Sequence, residues 1–325
     1  MEKIKFLTMA ALATAFFASC SNEDGLPQSN YPADNVVRIT TSVDGMNTRA
    51  SYGGSTAKLS SFGFCINNAG SDKYTYDNIK VTQENGKWNP ATQMLWQNST
   101  TAVDILAYAP YQANGNVKIF GKSDYAFSVK ADQSNAEDYS SDLIVYKQTG
   151  FTPGSELNTS KAVDVAFTHL LSQLNLTIEL RYQFNQDEKK PVTEATVTDV
   201  KVNGTIISSK VDFSASPISV QVDDTQEATA ITPETTEFKA AGKTTDHAAF
   251  NYSAIVIPQT VTAGNFSISF KVNGTDYIWT ATSDVKFVSG NKHQLSLLVG
   301  KDVVQVKGIT ATPWGKENIT QGETD

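Results

Sequence analysis

The stretch SQLNLTIELR, residues 172–181, alternates between apolar and polar residues from Gln173 to its end. A repeat of two places the apolar side chains on one face of an extended chain, which is typical of a half-buried β-strand. The stretch FSISFKV, residues 266–272, shows the same alternation. The sequence therefore predicts strands that each bury one face. The expected buried residues are Leu174, Leu176, Ile178, Leu180, Phe266, Ile268, Phe270 and Val272.

The residues just before the first of these strands are ambiguous. Phe167, Leu170, Leu171 and Leu174 also fit the spacing of one helix face. However, the alternation of apolar residues changes parity between Phe167 and Leu170, as it does across a bulge. We therefore predict a bulge or a short turn there, followed by the strand.

Turn signals support an all-β fold. The pentapeptide KVNGT occurs at 201–205 and again at 271–275, and further Asn-Gly pairs stand at 85–86 and 114–115. Asn-Gly between strand-like runs favours a two-residue hairpin, because both central residues need positive φ. Strands separated by such turns, with few long helical patterns, predict antiparallel β-sandwiches.

The length of the chain suggests two domains. The segment 147–161 is rich in Gly, Pro, Ser and Thr, so we place the boundary there, between a domain at 50–155 and one at 156–325. The polar stretch 223–248 is long for a hairpin connection and is predicted to be a surface loop of the second domain.

Residues 1–20 have the layout of an export signal, with Lys3 and Lys5 before the apolar run FLTMAALATAFFA. That run is shorter than the ~20 residues that a transmembrane helix needs. The ending FASC resembles a bacterial lipobox, which predicts that Cys20 is lipidated and anchors the protein to a membrane. The alternative is an ordinary signal peptide with an incidental cysteine. The following SNEDG resembles the acidic signal that directs some lipoproteins to the outer cell surface.

The net charge of −8 argues against nucleic acid as a partner, because phosphate binding requires basic patches. Beyond Cys20 the remaining cysteine is Cys65, in the apolar run FGFCINN, where a small buried side chain is expected. An internal disulfide is therefore not expected, and a hydrophobic core must stabilise the exported chain.

Signatures of catalysis are weak. His169, His247 and His293 are far apart in the sequence and lack metal-ligand spacing, so no metal, cofactor or enzymatic activity is predicted. A carboxylate pair on a β-sandwich hydrolase is the remaining enzymatic alternative. Each tryptophan lies in or beside an apolar run, so core packing is favoured over a sugar-stacking platform for at least three of them: Trp88, Trp96, Trp279 and Trp314.

The segment NTRAS, residues 47–51, follows the strand-like stretch VVRITTSV at 36–43. Arg49 is either a solvated loop charge or a protease site whose cleavage detaches that strand. Val37, Ile39 and Val43 share one face, and burial is worth ~1.5–3 kcal/mol for each such side chain. Loss of the strand would therefore open a groove suited to a strand from another chain.

Five segments in the order and spacing seen here resemble the fimbrillin family, the Mfa-like and FimA-like subunits of type V pili. The resemblance extends over about residues 36–314 and is most specific in IVIPQT and FTHLLSQL. The segments are VDILAYAPY (103–111), SDLIVYK (141–147), VAFTHLLSQLNLTI (165–178), SAIVIPQTVTAGNFSISFKVNGTDYIW (253–279) and FVSGNKHQLSLLV (287–299).

The resemblance implies two tandem transthyretin-like β-sandwich domains, export as a lipoprotein, and cleavage by an arginine-specific protease at the cell surface. Arg49-Ala50 matches the position of the family's maturation site, so 21–49 would be a propeptide that carries the first strand. The partners would be other pilus subunits, joined head-to-tail by strand exchange, and the outer membrane, through the lipid on Cys20.

The expected function is a structural or adhesive pilus subunit without catalysis. In the family's stalk pilins the C-terminal segment is the donor strand. Here VVQVKGIT (303–310) is either a domain-closing strand or a donor, and the polar tail after it suits a groove poorly, which leaves stalk, tip and accessory positions open. The alternative is a monomeric surface lipoprotein that binds a glycan or a host protein.

Overall fold

The structure is a computed structural model that describes residues 30–43, 58–113, 118–186, 191–243 and 245–314. Apart from three short 3-10 turns, the regular structure in these residues consists of strands and one short α-helix, α1 (Pro153–Glu156). No described helix has the length and hydropathy required to span a membrane. The all-β class predicted from the alternating stretches is confirmed.

The strands are β1 (Ile39–Val43), β2 (Ser61–Asn67), β3 (Tyr76–Glu84), β4 (Lys87–Pro90), β5 (Val103–Ala109), β6 (Tyr125–Ser128), β7 (Ile144–Phe151), β8 (Val163–His169), β9 (Ser172–Leu180), β10 (Val197–Asn203), β11 (Ser208–Asp212), β12 (Ser219–Val222), β13 (Glu234–Lys239), β14 (Ala248–Val256), β15 (Thr260–Val261), β16 (Ser267–Val272), β17 (Thr275–Thr280), β18 (Val285–Lys286), β19 (Asn291–Val299) and β20 (Val304–Pro313).

The largest sheet has seven strands in the order β1-β8-β7-β5-β2-β3-β4. β1 lies at one edge and pairs with β8 in parallel, whereas the other neighbours are antiparallel. β8 pairs with β7 over a short distance, through Ile144 with His169 and Val145 with Thr168. This sheet therefore ends in a strand that comes from a distant part of the chain.

A second sheet has five strands in the order β13-β14-β9-β19-β20. The stretch 172–181 supplies its central strand β9, and its predicted apolar face is fully buried. β8 ends at His169 and β9 begins at Ser172, so the expected interruption before the strand is confirmed. β9 and β19 run parallel, so this sheet, like the first, is not purely antiparallel.

Three smaller sheets complete the described fold. β10-β16-β17 and β12-β11-β6 have three strands each, and β15 pairs with β18. β6 comes from the first half of the chain and pairs with β11 from the second half. The pairing joins the two halves by backbone hydrogen bonds.

The core consists of two clusters of buried residues. One lies on one face of the seven-stranded sheet and includes Phe62, Phe64 and Ile105, while the other gathers the remaining sheets. Leu106 and Tyr108, on the opposite face of β5, belong to the second cluster. The seven-stranded sheet is therefore buried on both faces at its centre. A division into tandem transthyretin-like sandwiches at residue 155 remains a prediction.

The Asn-Gly signals have different outcomes. Asn85-Gly86 and Asn273-Gly274 have positive φ and join β3 to β4 and β16 to β17, as predicted. The first KVNGT copy is not a hairpin, because β10 pairs with β16 and the chain continues from Gly204 into a different sheet. A Cβ on Gly204 would lie 2.1 Å from the Asn265 carbonyl oxygen, so glycine is required there for close packing. Asn114-Gly115 lies outside the described residues.

The prediction of a loop at 223–248 is wrong in its centre. Residues 234–239 form the edge strand β13, which pairs with β14. An edge strand with one solvated face needs few apolar residues, so its composition resembles that of a loop.

Candidate functional site

The edge strand β1 and its backbone partners form the candidate functional site. β1 pairs with β8 from Ile39 opposite Val163 to Val43 opposite Phe167. Just before β1, the Val37 amide donates to the Met94 carbonyl at 3.0 Å, and the Trp96 amide donates to the Asn35 carbonyl at 2.8 Å. We call residues 94–96 and 163–167, which hold 35–43 by backbone bonds, the β1 groove.

The apolar side chains of this segment are part of the core. Val37 is 3% exposed, and Ile39 and Val43 are each 7% exposed. All three belong to the buried cluster that also contains Val163, Val165 and Phe167. The face expected from the alternation of VVRITTSV is therefore the face that is buried. Because β1 is at the edge of its sheet, this burial is achieved with a backbone partner on one side.

Side-chain hydrogen bonds fix the register of β1. Asn158 Nδ2 donates to Thr40 Oγ1 at 2.9 Å, and Thr40 Oγ1 lies 3.3 Å from the Val163 carbonyl oxygen. Upstream, Asn30 Nδ2 donates to the Leu157 carbonyl at 3.0 Å. The turn around residues 157–162 therefore recognises the polar side of the segment, while the core binds its apolar side.

An ion pair stabilises the chain just before β1. Arg38 Nη2 lies 2.6 Å from Asp34 Oδ2, and the Val36 amide donates to Asp34 Oδ1 at 3.1 Å. The hydrogen bonds from Arg38 and Val36 lower the pKa of Asp34 to about 2. Both charged side chains are solvent-exposed, so the pair positions the turn more than it stabilises the whole protein.

The pairing of β8 makes the effect of removing β1 specific. Among the described residues, positions 163–167 of β8 have β1 as their ladder partner, and β7 pairs with 168–169. If β1 leaves, 163–167 loses its backbone ladder and the cluster loses three buried side chains. Unpaired buried backbone groups cost ~1–3 kcal/mol each. An extended segment from another chain would restore both kinds of contact.

The C-terminal strand β20 has the opposite character. It pairs with β19 along its length, yet eight of its ten residues are exposed and none is buried. Val306 is 46% exposed and Ile309 is 44% exposed, although their register partners on β19 are the buried Leu297 and Leu295. β20 is therefore held mainly by backbone hydrogen bonds, with apolar side chains in solvent.

The processing and lipidation residues predicted from the sequence, Arg49, Ala50 and Cys20, lie outside the described residues. The histidines and tryptophans lie within them. The four tryptophans either belong to a core cluster or contact one, so the described residues contain no exposed tryptophan platform. No group of three His, Cys, Asp or Glu that could hold a metal ion occurs in the described part of the chain.

Sequence reasoning missed three features. The parallel partner of β1 is 124 residues away in sequence, and no local pattern indicates such a pairing. The second feature is the exposure of β20, which depends on tertiary packing and not on its own sequence pattern. The contact of Trp314 with His169 is also long-range, although Trp314 closes a strand-like run and His169 follows the buried parity of its own strand.

The sequence profile of a family described as fimbrillin-like matches residues 48–314. No curated protein matches the sequence.

Solved structures share the fold. A proposed cell adhesion protein from Bacteroides ovatus has a TM-score of 0.60 and 13% identity, over 87% of this chain and 99% of its own. A proposed cell adhesion protein from Bacteroides uniformis has a TM-score of 0.54 and 19% identity, with coverage of 87% and 99%. A fimbrial protein from Bacteroides vulgatus has a TM-score of 0.53 and 15% identity, with coverage of 86% and 99%.

Proposed function

This chain belongs to the fimbrillin-like family, and from that premise we propose that it is a structural or adhesive subunit of a cell-surface pilus, assembled by strand exchange. The family consists of structural fimbrial subunits rather than enzymes, in agreement with the expectation of no catalysis. The single observation that carries the proposal is β1, an edge strand with buried apolar side chains directly before the segment that contains Arg49.

Cleavage after Arg49 is the proposed trigger. While the chain is intact, β1 is tethered beside its groove, and a short tether keeps the effective concentration of a segment at ~millimolar levels. Cleavage turns the same contact into a bimolecular one, so β1 can dissociate and be diluted. The vacated groove then accepts a strand from the next subunit, and the head-to-tail contact builds a filament.

The chain offers the protease three arginines, Arg38, Arg49 and Arg181. Two of them are engaged in the fold. The Arg38 carbonyl accepts the Val163 amide at 2.8 Å, and the Arg181 amide donates to the Val299 carbonyl at 2.9 Å. A protease must bind its substrate in an extended form, which competes with these ladder bonds. The proposal therefore assigns processing to Arg49, with a mature chain that begins at Ala50.

We assign the donor role to β20. Release of a strand costs little side-chain burial when its side chains are mostly exposed, and β20 meets that condition. Its backbone ladder with β19 would be replaced by the ladder in the groove. In a groove such as the one that β1 occupies, Val306 and Ile309 would exchange solvent for apolar contacts. Burial of a side chain of this size contributes ~1.5–3 kcal/mol.

Lipidation at Cys20 and an outer-membrane location complete the proposal. They rest on the FASC and SNEDG segments of the sequence. Lipid chains contribute ~0.8 kcal/mol for each buried CH₂ group and hold the precursor at the membrane until processing.

A monomeric glycan-binding role receives less support. That role would use loops or exposed aromatic side chains, and the four tryptophans belong to a core cluster or contact one.

The test is treatment of the full-length chain with an arginine-specific protease, followed by intact-mass analysis and size-exclusion chromatography. We expect the native chain and an Arg38→Ala control to be cut between Arg49 and Ala50 and to form high-mass species. The Arg49→Ala variant should stay intact and monomeric. Cleavage at another site, or a cut chain that stays monomeric, would contradict the proposal.

A further inference from the structure

The end of β20 is anchored by one buried side chain. Trp314 is 6% exposed and lies flat against the His169 ring, with 3.8 Å between ring centroids and 4° between planes. Its backbone amide donates to the Gly290 carbonyl at 2.7 Å. Its indole N–H has no hydrogen-bond partner among the described residues, so stacking and apolar contact hold the side chain.

The surface that receives Trp314 is buried and hydrogen-bonded. His169 Nδ1 lies 2.9 Å from Asp142 Oδ1, and the two side chains are 1% and 0% exposed. This buried hydrogen bond fixes the ring plane against which the indole packs. Lys292 Nζ lies 5.7 Å from the centre of the Trp314 ring, within the range of a cation–π contact.

His169 is the last residue of β8, the strand that pairs with β1. The same strand therefore holds the N-terminal strand along 163–167 and the end of the C-terminal strand at 169. Loss of β1 removes the ladder partner of 163–167 and leaves β8 in its sheet through the two pairs with β7. His169 stays paired with Ile144, but β8 is then held at this end only, so we expect the position of His169 to vary more.

We infer that Trp314 is a latch that keeps β20 on its own subunit, and that β8 couples this latch to the occupancy of the β1 groove. With β1 in place, β8 is ordered and Trp314 stays docked. When β1 leaves, the latch weakens and β20 is released more often. Resting on the proposed function, the inference adds a regulatory step: a subunit frees its donor strand after its own groove has been emptied.

The latch itself does not require assembly to be tested. Amide hydrogen exchange in the full-length monomer reports local opening of a strand. Aromatic contacts of this kind correspond to a change on the order of tenfold in an equilibrium. We expect Trp314→Ala to speed exchange in 304–313 on the order of tenfold. Trp314→Phe should give a smaller effect, and the exposed-neighbour control Thr310→Ala should give none.

The coupling is tested from the other end of β8. We expect Ile39→Ala, which weakens β1 without touching β20, to speed exchange in 304–313 as well. The matched control Ser42→Ala, on the exposed side of β1, should leave it unchanged. In both arms, exchange in β14 (Ala248–Val256) should stay slow, because the five-stranded sheet remains folded.

Three results would overturn the inference. Unchanged exchange of β20 in Trp314→Ala would show that the side chain is not a latch. Acceleration by Trp314→Ala but not by Ile39→Ala would show that β8 does not couple the strands. Equal acceleration in β14 would mean general unfolding and would count against the latch. Since these measurements are made on the uncut monomer, their outcome is independent of whether the cleaved chain polymerises.

Discussion

Val43 lies directly opposite Phe167 in the parallel register of β1 and β8, and both side chains are buried. Val43 is also the last residue of β1. The strand that we propose to be removed by cleavage is therefore buried in the core as far as its last residue. This relationship has measurable consequences for stability.

Truncation of the β1 core face should destabilise the chain. Ile39→Ala removes a side chain that is 7% exposed, and such changes in cores cost ~2–5 kcal/mol. We expect a loss near the lower end of that range, because an edge site can relax toward solvent. Urea unfolding measures the change. Ser42→Ala is the control and should stay within ~0.5 kcal/mol of the native value. Equal effects from both variants would argue against a buried β1.

The ion pair before β1 predicts a specific titration. The pKa of Asp34 is lowered to about 2, so its contribution to stability is present above the ordinary carboxyl pKa and is lost as pH falls through 2. In Arg38→Ala we expect the Asp34 pKa to rise toward its ordinary value. NMR titration of the side-chain carboxyl measures both. Asp132, whose pKa is lowered by hydrogen bonds from Ser134 in another part of the chain, serves as the internal reference and should titrate alike in both proteins.

Lys147 links the two halves of the chain. Its ammonium donates to the carbonyls of Phe213, Ser214 and Ala215 at 2.8, 2.9 and 2.8 Å. Lys147→Met removes a charged hydrogen-bond donor from three carbonyl acceptors. Because some of these carbonyls can accept hydrogen bonds from water instead, we expect a loss of ~1–2 kcal/mol in unfolding free energy.

The matched control for Lys147→Met is Lys210→Met. It breaks a pair with Asp223 in which the lysine side chain is 52% exposed, and it should cost less than ~0.5 kcal/mol. A loss for Lys147→Met as small as that of the control would show that the carbonyl cluster is satisfied by solvent.

Gly204 and Gly308 form a contrasting pair. Gly204 has a φ of +90° and no room for a Cβ, whereas a Cβ on Gly308 would meet nothing within 4 Å. Backbone strain alone costs ~1–3 kcal/mol. Because the steric clash adds to this strain, we expect Gly204→Ala to lower the unfolding free energy by at least that amount. Gly308→Ala should be nearly neutral by thermal unfolding. A tolerated Gly204→Ala would contradict the close approach to Asn265.

The alternating stretches predicted strands well because burial of one face leaves a period of two in the sequence. The apolar residues of the stretches 174–180 and 266–272 are buried as expected, and Asn273-Gly274 forms its hairpin. The hairpin predicted for the first copy of the pentapeptide, at 203–204, was wrong, because Asn-Gly can also occur where two sheets pack closely. β13 was predicted to be part of a loop, because an edge strand with a solvated face has the polar composition of a loop.

The buried face of β1 was predicted from the sequence, whereas its surroundings were not. The pattern of Val37, Ile39 and Val43 indicated which face is buried. It did not indicate the parallel partner, since β8 is separated from β1 by more than a hundred residues and pairing at that distance leaves no local signature. Asn158, which donates to Thr40, lies in the segment interpreted as a domain boundary.

Because Val306 and Ile309 are exposed, two properties that usually change together can change separately: the stability of the folded subunit and its contacts with other molecules. In most strands a polar substitution at an apolar position costs folding free energy, so a protein cannot vary its intermolecular contacts without risking its own fold. Here the monomer gains little from either side chain. In the proposed assembly, substitutions at these two positions could therefore change the strength of the contact between subunits while the heat resistance of each folded subunit stays the same.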